Sequence, residues 1–440
     1  MQVGKGSRYL VAGYLMVLVI LALFCSEVSK NSRVFPYTDD WSYTEPYTAN
    51  ENILSYAFRP HVDHRVPVQK LIHLGLLELT GFDFRSLIIL NMALSAAMSL
   101  LFMHAVRKIR GSSEIGDLAI PFICLNFGAG LTFYAFEGQF MFTSLSIALF
   151  TLFVARSENG SSQREMILAS ASLVLMAWTG MNGVICALVL SFGMLAYILW
   201  QRQRTTVWAL GLLIAAFAMS SWQIAVWNPS SDQIGRAAES VMFEYVAGIY
   251  SSIFPVFGGV GYVVSAIVLT AVLLAGIALS FKPLLACQFK DMQSVGLIGV
   301  VLVVLSMIGV IAYGRAQLQP FSMGVGMHYS ILIAPLFFAG WALLSRQLSG
   351  KASTFAGMIV LVWAVSAFYQ SVQWRSISVN DSKEQFKTAA KAIKSTKPTD
   401  EVVNENIRAM YAVDTPDSRR IVKNGLDTLR RIGGKKYHPE

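Results

Sequence analysis

Apolar runs long enough to cross a bilayer recur along this chain, and no other feature constrains its fold so tightly. They fall near residues 9–26, 84–106, 118–135, 140–155, 166–179, 183–200, 206–227, 258–281, 294–313, 329–345 and 353–372. A hydrocarbon core needs about 20 apolar residues per helical crossing, and backbone groups in lipid must be satisfied within their own segment, which makes such runs helices. The expected fold class is an all-α polytopic membrane protein with about 11 transmembrane helices. Composition agrees, since 55% of the 440 residues are hydrophobic and 14% charged, with a mean hydropathy of +0.53, too apolar for a soluble globule.

The formal net charge of +9 is explained by loop cations that orient helices, so no nucleic-acid partner is expected. Lys5 and Arg8, Arg107 to Arg110, Arg156 and Arg164, Arg202 and Arg204, Lys282 and Lys290, and Arg346 and Lys351 occupy alternate loops. The positive-inside rule makes that side the cytoplasm, with the N-terminus cytoplasmic and the first loop on the outer face. The N-terminal apolar run lacks a small-residue cleavage site and reads as a retained helix. Cys25, Cys124, Cys186 and Cys287 stand singly, as packing residues.

Two outer stretches, 66–81 and 234–253, mix apolar residues at helical spacing with Lys70, His73 and Glu78, or with Arg236, Glu239 and Glu244. They read either as interfacial helices roofing a cleft or as helices packed on the bundle. After residue 373 the chain turns polar, which predicts a membrane domain over 1–373 and a small C-terminal appendage over 374–440, periplasmic and partly helical. There are no repeats and no Walker, Rossmann, HExxH or GxSxG pattern, so ATP hydrolysis, nicotinamide chemistry and a serine-hydrolase elbow lack support.

Polar chemistry concentrates in the first outer loop, 27–83: Asp39, Asp40 and Trp41, then Arg59, His61, Asp63, His64 and Arg65. Such density beside a bilayer is costly unless it faces water or a substrate. Paired acids there suit glycosyl transfer from a lipid-linked phosphate to a hydroxyl, one carboxylate acting as general base while an oxocarbenium-like centre forms and the phosphate departs. Neighbouring side chains diverge in an extended loop, so one of Asp39 and Asp40 is the base and the other orients it, binds sugar or meets a cation. Arg59, Arg65 and Arg315, with His64 and His328 as donors, are the candidates for the phosphate.

Trp41, Asp63, His64 and Glu137 are candidate sugar or acceptor contacts. Plainer roles stand beside these: Asp39 or Asp40 capping a helix near Trp41, Trp41 in an interfacial aromatic belt, and Glu137 as a helix cap. Asp39, Asp40, His61, Asp63 and His64 supply enough donors for a divalent cation, but His61-x-Asp63-His64 is not a metal signature, so no metal or other cofactor is expected.

The DDW of Asp39–Trp41 and the HVDHR of His61–Arg65 also carry a family resemblance. An acid pair in the first outer loop of a multi-span protein resembles the GT-C superfamily of membrane glycosyltransferases, which includes protein O-mannosyltransferases, the lipid A aminoarabinose transferase and bacterial O-antigen glucosyltransferases. The triplet Asp63-His64-Arg65 is similar to that of a bacterial glucosyltransferase branch, and the resemblance extends to Glu137–Gln139, Asn182–Gly183 and 315–329. It implies a GT-C-like bundle, a polyprenyl-phosphate sugar donor, and a glycolipid (such as a lipopolysaccharide precursor) or polysaccharide acceptor. Two departures are visible: no large outer domain follows, and His328 precedes Tyr329 where an arginine is expected. A transporter or flippase of lipid-linked saccharides, or a polymerase of them, are the alternatives; a transporter predicts mid-membrane charges and often repeats.

Overall fold

The computed structural model describes residues 5–61, 64–126, 135–157, 163–201, 205–227, 238–252, 259–288, 290–316 and 329–437. Among the described residues there is no strand, and nine helices are long and apolar enough to cross a bilayer. The chain is a multi-pass helical membrane protein.

Helix α1 (Lys5–Asn31) leads into the first loop, which is itself folded: a 3-10 turn at Thr38–Thr44, α2 (Glu45–Thr48), α3 (Ile53–Phe58) and α4 (Pro67–Thr80). Helix α5 (Arg85–Arg110) returns along α1, with Tyr14 and His104 stacked at 6.0 Å. Next come α6 (Ala119–Cys124), a turn at Ala135–Glu137, α7 (Gly138–Arg156), α8 (Gln163–Met176), α9 (Met181–Gln201) and α10 (Val207–Ala225). The remaining bundle helices are α11 (Glu239–Ser251), α12 (Gly259–Ala286), α13 (Met292–Arg315), α14 (Ser330–Gln347) and α15 (Gly350–Ile393).

Of the expected 118–135 span the described part holds the six-residue α6, and 127–134 lie outside the described residues; the expected 166–179 span corresponds to the fourteen-residue α8, which ends at Met176. Polar pairing still fixes the ends of the first: Asp117 pairs with Arg110 at the basic end of the bundle, while Phe136 meets Asp40 at the opposite, loop end. Arg346 and Asp291 pair at the basic end as well.

Helix α14 lies at the centre, buried along its length. Lipid offers no hydrophobic drive between helices, so close backbone approach by small residues takes over. Gly276 of α12 sits against Gly340 of α14, where a Cβ would come within 2.7 Å of the Gly340 carbonyl oxygen. Peripheral helices expose apolar side chains, among them Leu15, Leu18 and Leu23 of α1 and Val362 of α15, faces that hydrocarbon solvates and water would not.

Helix α4 has the same inversion. Its inward face carries Gln69, Lys70 and His73, all buried, while Leu71, Ile72 and Leu79 point outward. Helix α11 covers the second expected interfacial stretch from Glu239 to Ser251; Arg236 falls outside the described residues.

The composition change at residue 374 falls inside α15, a continuous helix of 44 residues, about 66 Å long at 1.5 Å per residue. Helices α16 (Thr399–Met410) and α17 (Pro416–Ile432) then double back onto the first loop. The expected appendage is thus one wall of that loop. Thr48 and Thr428 hydroxyls bond at 2.7 Å, and Arg431 donates to the Tyr47 carbonyl at 2.7 Å.

The glycine contact is testable. Gly276→Ala must push α12 off α14 and is expected to cost about 1–3 kcal/mol, measured as an earlier thermal melt in detergent; an unchanged melt would show that the two helices are free to separate.

Candidate functional site

The adjacent acids of the first loop have separate fates. The Asp40 side chain is buried, and its Oδ1 accepts the Phe136 N–H at 2.7 Å. Its Oδ2 receives the Tyr37 N–H at 3.4 Å, closing the start of the 3-10 turn. Burial pushes the Asp40 carboxyl up to about 7, against backbone hydrogen bonds from the 135–136 turn and Tyr37 and the charge of Arg33. Arg33 itself stacks between the rings of Tyr37 and Phe386, at 4.0 and 4.6 Å. Asp40 is therefore a fastening between the first loop and the turn that precedes α7.

That turn is held from three further sides. Gln69 of α4 donates to the Phe136 carbonyl at 2.7 Å and to the Tyr43 hydroxyl at 2.7 Å, and Asn91 of α5 donates to the Ala135 carbonyl at 3.0 Å. The Tyr43 hydroxyl, already accepting from Gln69, donates to His73 Nδ1 at 2.7 Å. Burial drives the His73 imidazole down to about 3, so it is neutral and carries its proton on Nε2, which faces Asn91.

The second motif docks on the same turn. His61 and His64 exchange backbone hydrogen bonds of 2.7 and 3.1 Å, the His61 ring packs on Phe136 at 4.0 Å, and His64 Nε2 donates to Gln139 Oε1 at 2.9 Å. Lys70 supports this segment from below, donating to the Tyr56 and Arg59 carbonyls at 3.1 and 2.8 Å, where a cation suits the end of α3.

Asp39, one residue away, takes no part in this fastening. It is half-buried and lies in the field of Arg315 and His64; burial raises its carboxyl, and the Arg315 guanidinium and the His64 imidazole oppose the rise. Arg315 is the last residue of α13. Arg315 and His64 line a cavity of about 290 Å³ between the loop ends of α7, α9, α10, α13 and α14. Gln139, Asn182 and Tyr329 complete its polar end, while Phe140, Ile185, Ile224, Trp227 and Ile311 form an apolar body. An amphiphile with an anionic head fits that division: the head by the guanidinium, the chain along the apolar wall.

The other sequence candidates lie elsewhere. Arg59 pairs with Glu45 and Glu51 rather than with the cavity. Arg65 lies over the Trp222 ring of α10 at 5.2 Å. Trp41 is fully buried, its Nε1 donating to the Met410 carbonyl at 2.9 Å, and a Cβ on Gly425 would strike its ring at 2.5 Å; this indole packs the C-terminal helices and offers no face to a sugar. Glu137 belongs to the Ala135–Glu137 turn, and Asp63 and His328 lie outside the described residues. Among the described residues no three His, Cys, Asp or Glu side chains converge as a metal-ligand set.

Several residues at the site were missed as chemistry: Gln69, Asn91 and Tyr43 as supports, and Trp227 as wall. Their signal was faint, a few amides and a hydroxyl within or beside apolar stretches, each costly in lipid unless paired. No protein-family model matches the chain, and no curated protein matches it significantly.

Gln69→Leu leaves the Phe136 carbonyl and the Tyr43 hydroxyl each without its donor. The expected loss is about 1–3 kcal/mol per orphaned group, together with easier protease cleavage in the first loop; wild-type stability and protection would show that Gln69 does not hold the turn.

Proposed function

We propose that the chain is an inverting glycosyltransferase that takes a sugar from a polyprenyl-phosphate donor and passes it to a glycolipid or polysaccharide hydroxyl on the outer face of a bacterial inner membrane. One observation carries this reading: Asp39 lies within the electrostatic reach of Arg315 and His64, which line an amphiphilic cavity bounded by membrane helices. Asp39 is the general base. It removes the acceptor hydroxyl proton as that oxygen attacks the anomeric carbon from the face opposite the phosphate. Arg315, with His64 held on Gln139, stabilises the charge that grows on the departing phosphate. Asp40 positions the loop and does not touch the reacting atoms.

The topology that goes with this reading has 11 crossings, the nine long helices plus the segments built on α6 and α8. It puts the basic end in the cytoplasm and Asp39 outside. Asp39 and Asp40 lie in the first loop and Asp117 and Asp291 at the basic end of the bundle; this favours transfer over transport, since a carrier would place its charges near mid-membrane.

With purified protein, labelled undecaprenyl-phosphate sugars and native glycolipid acceptors, Asp39→Asn should lower kcat by about 10²–10⁴-fold without altering the melt. Asp40→Ala should instead lower the melt, by about 1.5–3 kcal/mol for a lost charge-assisted bond. Full transfer by Asp39→Asn would remove the base assignment. Inactivity of the wild type with every donor, alongside donor movement across vesicles, would favour a flippase.

The pH profile tests the Asp39–Arg315 relation separately. A general base works when deprotonated, so the rate falls as pH drops through its pKa. Arg315 opposes the burial-driven rise of Asp39, so Arg315→Gln should move the acid limb to higher pH as well as slow the reaction. An unmoved limb would mean that Asp39 does not sense this guanidinium.

A further inference from the structure

The segment that joins α16 to α17 runs against the acid pair of the first loop. Two hydrogen bonds hold it there: the Ala412 N–H donates to Thr38 Oγ1 at 3.3 Å, and Trp41 Nε1 donates to the Met410 carbonyl at 2.9 Å. Asp39 lies between Thr38 and Trp41, and Tyr411 between Met410 and Ala412, so the two bonds bracket both residues. Thr38 holds a φ of 52°, a left-handed conformation that a β-branched residue rarely adopts. Such strain persists only where the surroundings over-determine it, and it collects at functional sites.

Tyr411 is half-buried and packs on the core. Burial raises its phenol and the Asp39 carboxylate adds to the rise, so the phenol keeps its proton at neutral pH. The Tyr411 hydroxyl has no hydrogen-bond partner among the described residues. The buried tyrosines around it are engaged: Tyr43 with His73, Tyr56 with the Ser42 carbonyl, Tyr437 with the Val34 and Phe82 carbonyls. The described lining of the Arg315–His64 cavity includes no residue of α16, α17 or the segment between them. Tyr411 and that cavity are therefore separate neighbours of Asp39.

We propose that Tyr411 is an acceptor-binding residue, with the receiving sugar on the open part of its ring and its hydroxyl bonded to a hydroxyl of that sugar. This rests on the glycosyltransferase reading, in which the cavity holds the donor phosphate and Asp39 is the base. A pyranose presents a face of C–H groups and a rim of hydroxyls, which suits the apolar ring and polar tip of a tyrosine. The acceptor proton passes to Asp39, the acceptor oxygen bonds the anomeric carbon, and the bond from that carbon to the phosphate oxygen breaks, its electron pair leaving with the phosphate. Tyr411 gives up no proton; it holds the attacking oxygen in place. The C-terminal helices thus take part in choosing the acceptor.

The test uses the full-length protein in detergent. Equilibrium binding of a labelled lipid A–core glycolipid is measured without donor, binding of an undecaprenyl-phosphate sugar is measured separately, and the melt is followed for each variant. Tyr411→Phe keeps the ring and should raise the glycolipid Kd about 2–10-fold, as loss of one hydrogen bond requires. Tyr411→Ala should raise it more than about tenfold. Donor Kd should stay as in the wild type for both, and in transfer the glycolipid KM should rise by the same factors while kcat changes less. Val413→Ala, an exposed side chain of the same segment, should bind both ligands as the wild type does. Wild-type glycolipid affinity in both Tyr411 variants, equal losses for donor and glycolipid, or no glycolipid binding by the wild type would each overturn the acceptor role. The binding arms need no chemistry, so they decide on Tyr411 even if the wild type transfers nothing from any donor, the result that overturns the glycosyltransferase reading.

Discussion

The bond from the Phe136 amide to the buried Asp40 carboxylate is the contact on which the loop end of this protein depends. It joins residues 96 positions apart, one in the first loop and one at the entrance to α7, and it does so where an unpaired carboxylate would be prohibitive. Around it Gln69 and Asn91 hold the neighbouring carbonyls. The turn at Ala135–Glu137 is only three residues long, and these side chains hold it at the start of α7. With the turn fixed, Gln139 can receive His64, and His64 then stands at the cavity.

The inward face of α4 mixes polar and apolar groups: Gln69, Lys70 and His73 are buried beside Leu74 and Leu77, while Leu71, Ile72 and Leu79 face out. The inward groups must then satisfy one another, which is the origin of the Gln69–Tyr43–His73 chain of hydrogen bonds. His73 remains neutral for the same reason, because a buried imidazolium without a carboxylate beside it is too costly.

The C-terminal helices complete the enclosure. A long α15 carries the chain outward, and α16 and α17 return to seal Trp41 beneath Met410 and Gly425. The first loop is thereby clamped from two sides, by the bundle through Asp40 and by the C-terminal helices through Trp41. Asp39, between these two anchors, lies within the electrostatic reach of Arg315 and His64.

Much of this was legible in the residue order. Apolar run lengths dictated a helical membrane protein because hydrocarbon leaves the backbone no other partner, and residues 35–65 hold a loop that fastens to the turn before α7 and to the C-terminal helices. Adjacency alone implied that Asp39 and Asp40 would diverge. Which of them turns inward depended on Phe136, a residue no local pattern links to either. Likewise Arg59 and Arg65 carry the same charge as Arg315, yet Glu45 and Glu51 capture the first and Trp222 the second, and only Arg315, delivered by the end of α13, shares the cavity with His64. Residue type and period determine what a segment must be buried in; partners at long range, chosen by packing and by the need to pair every buried polar atom, decided which residues meet.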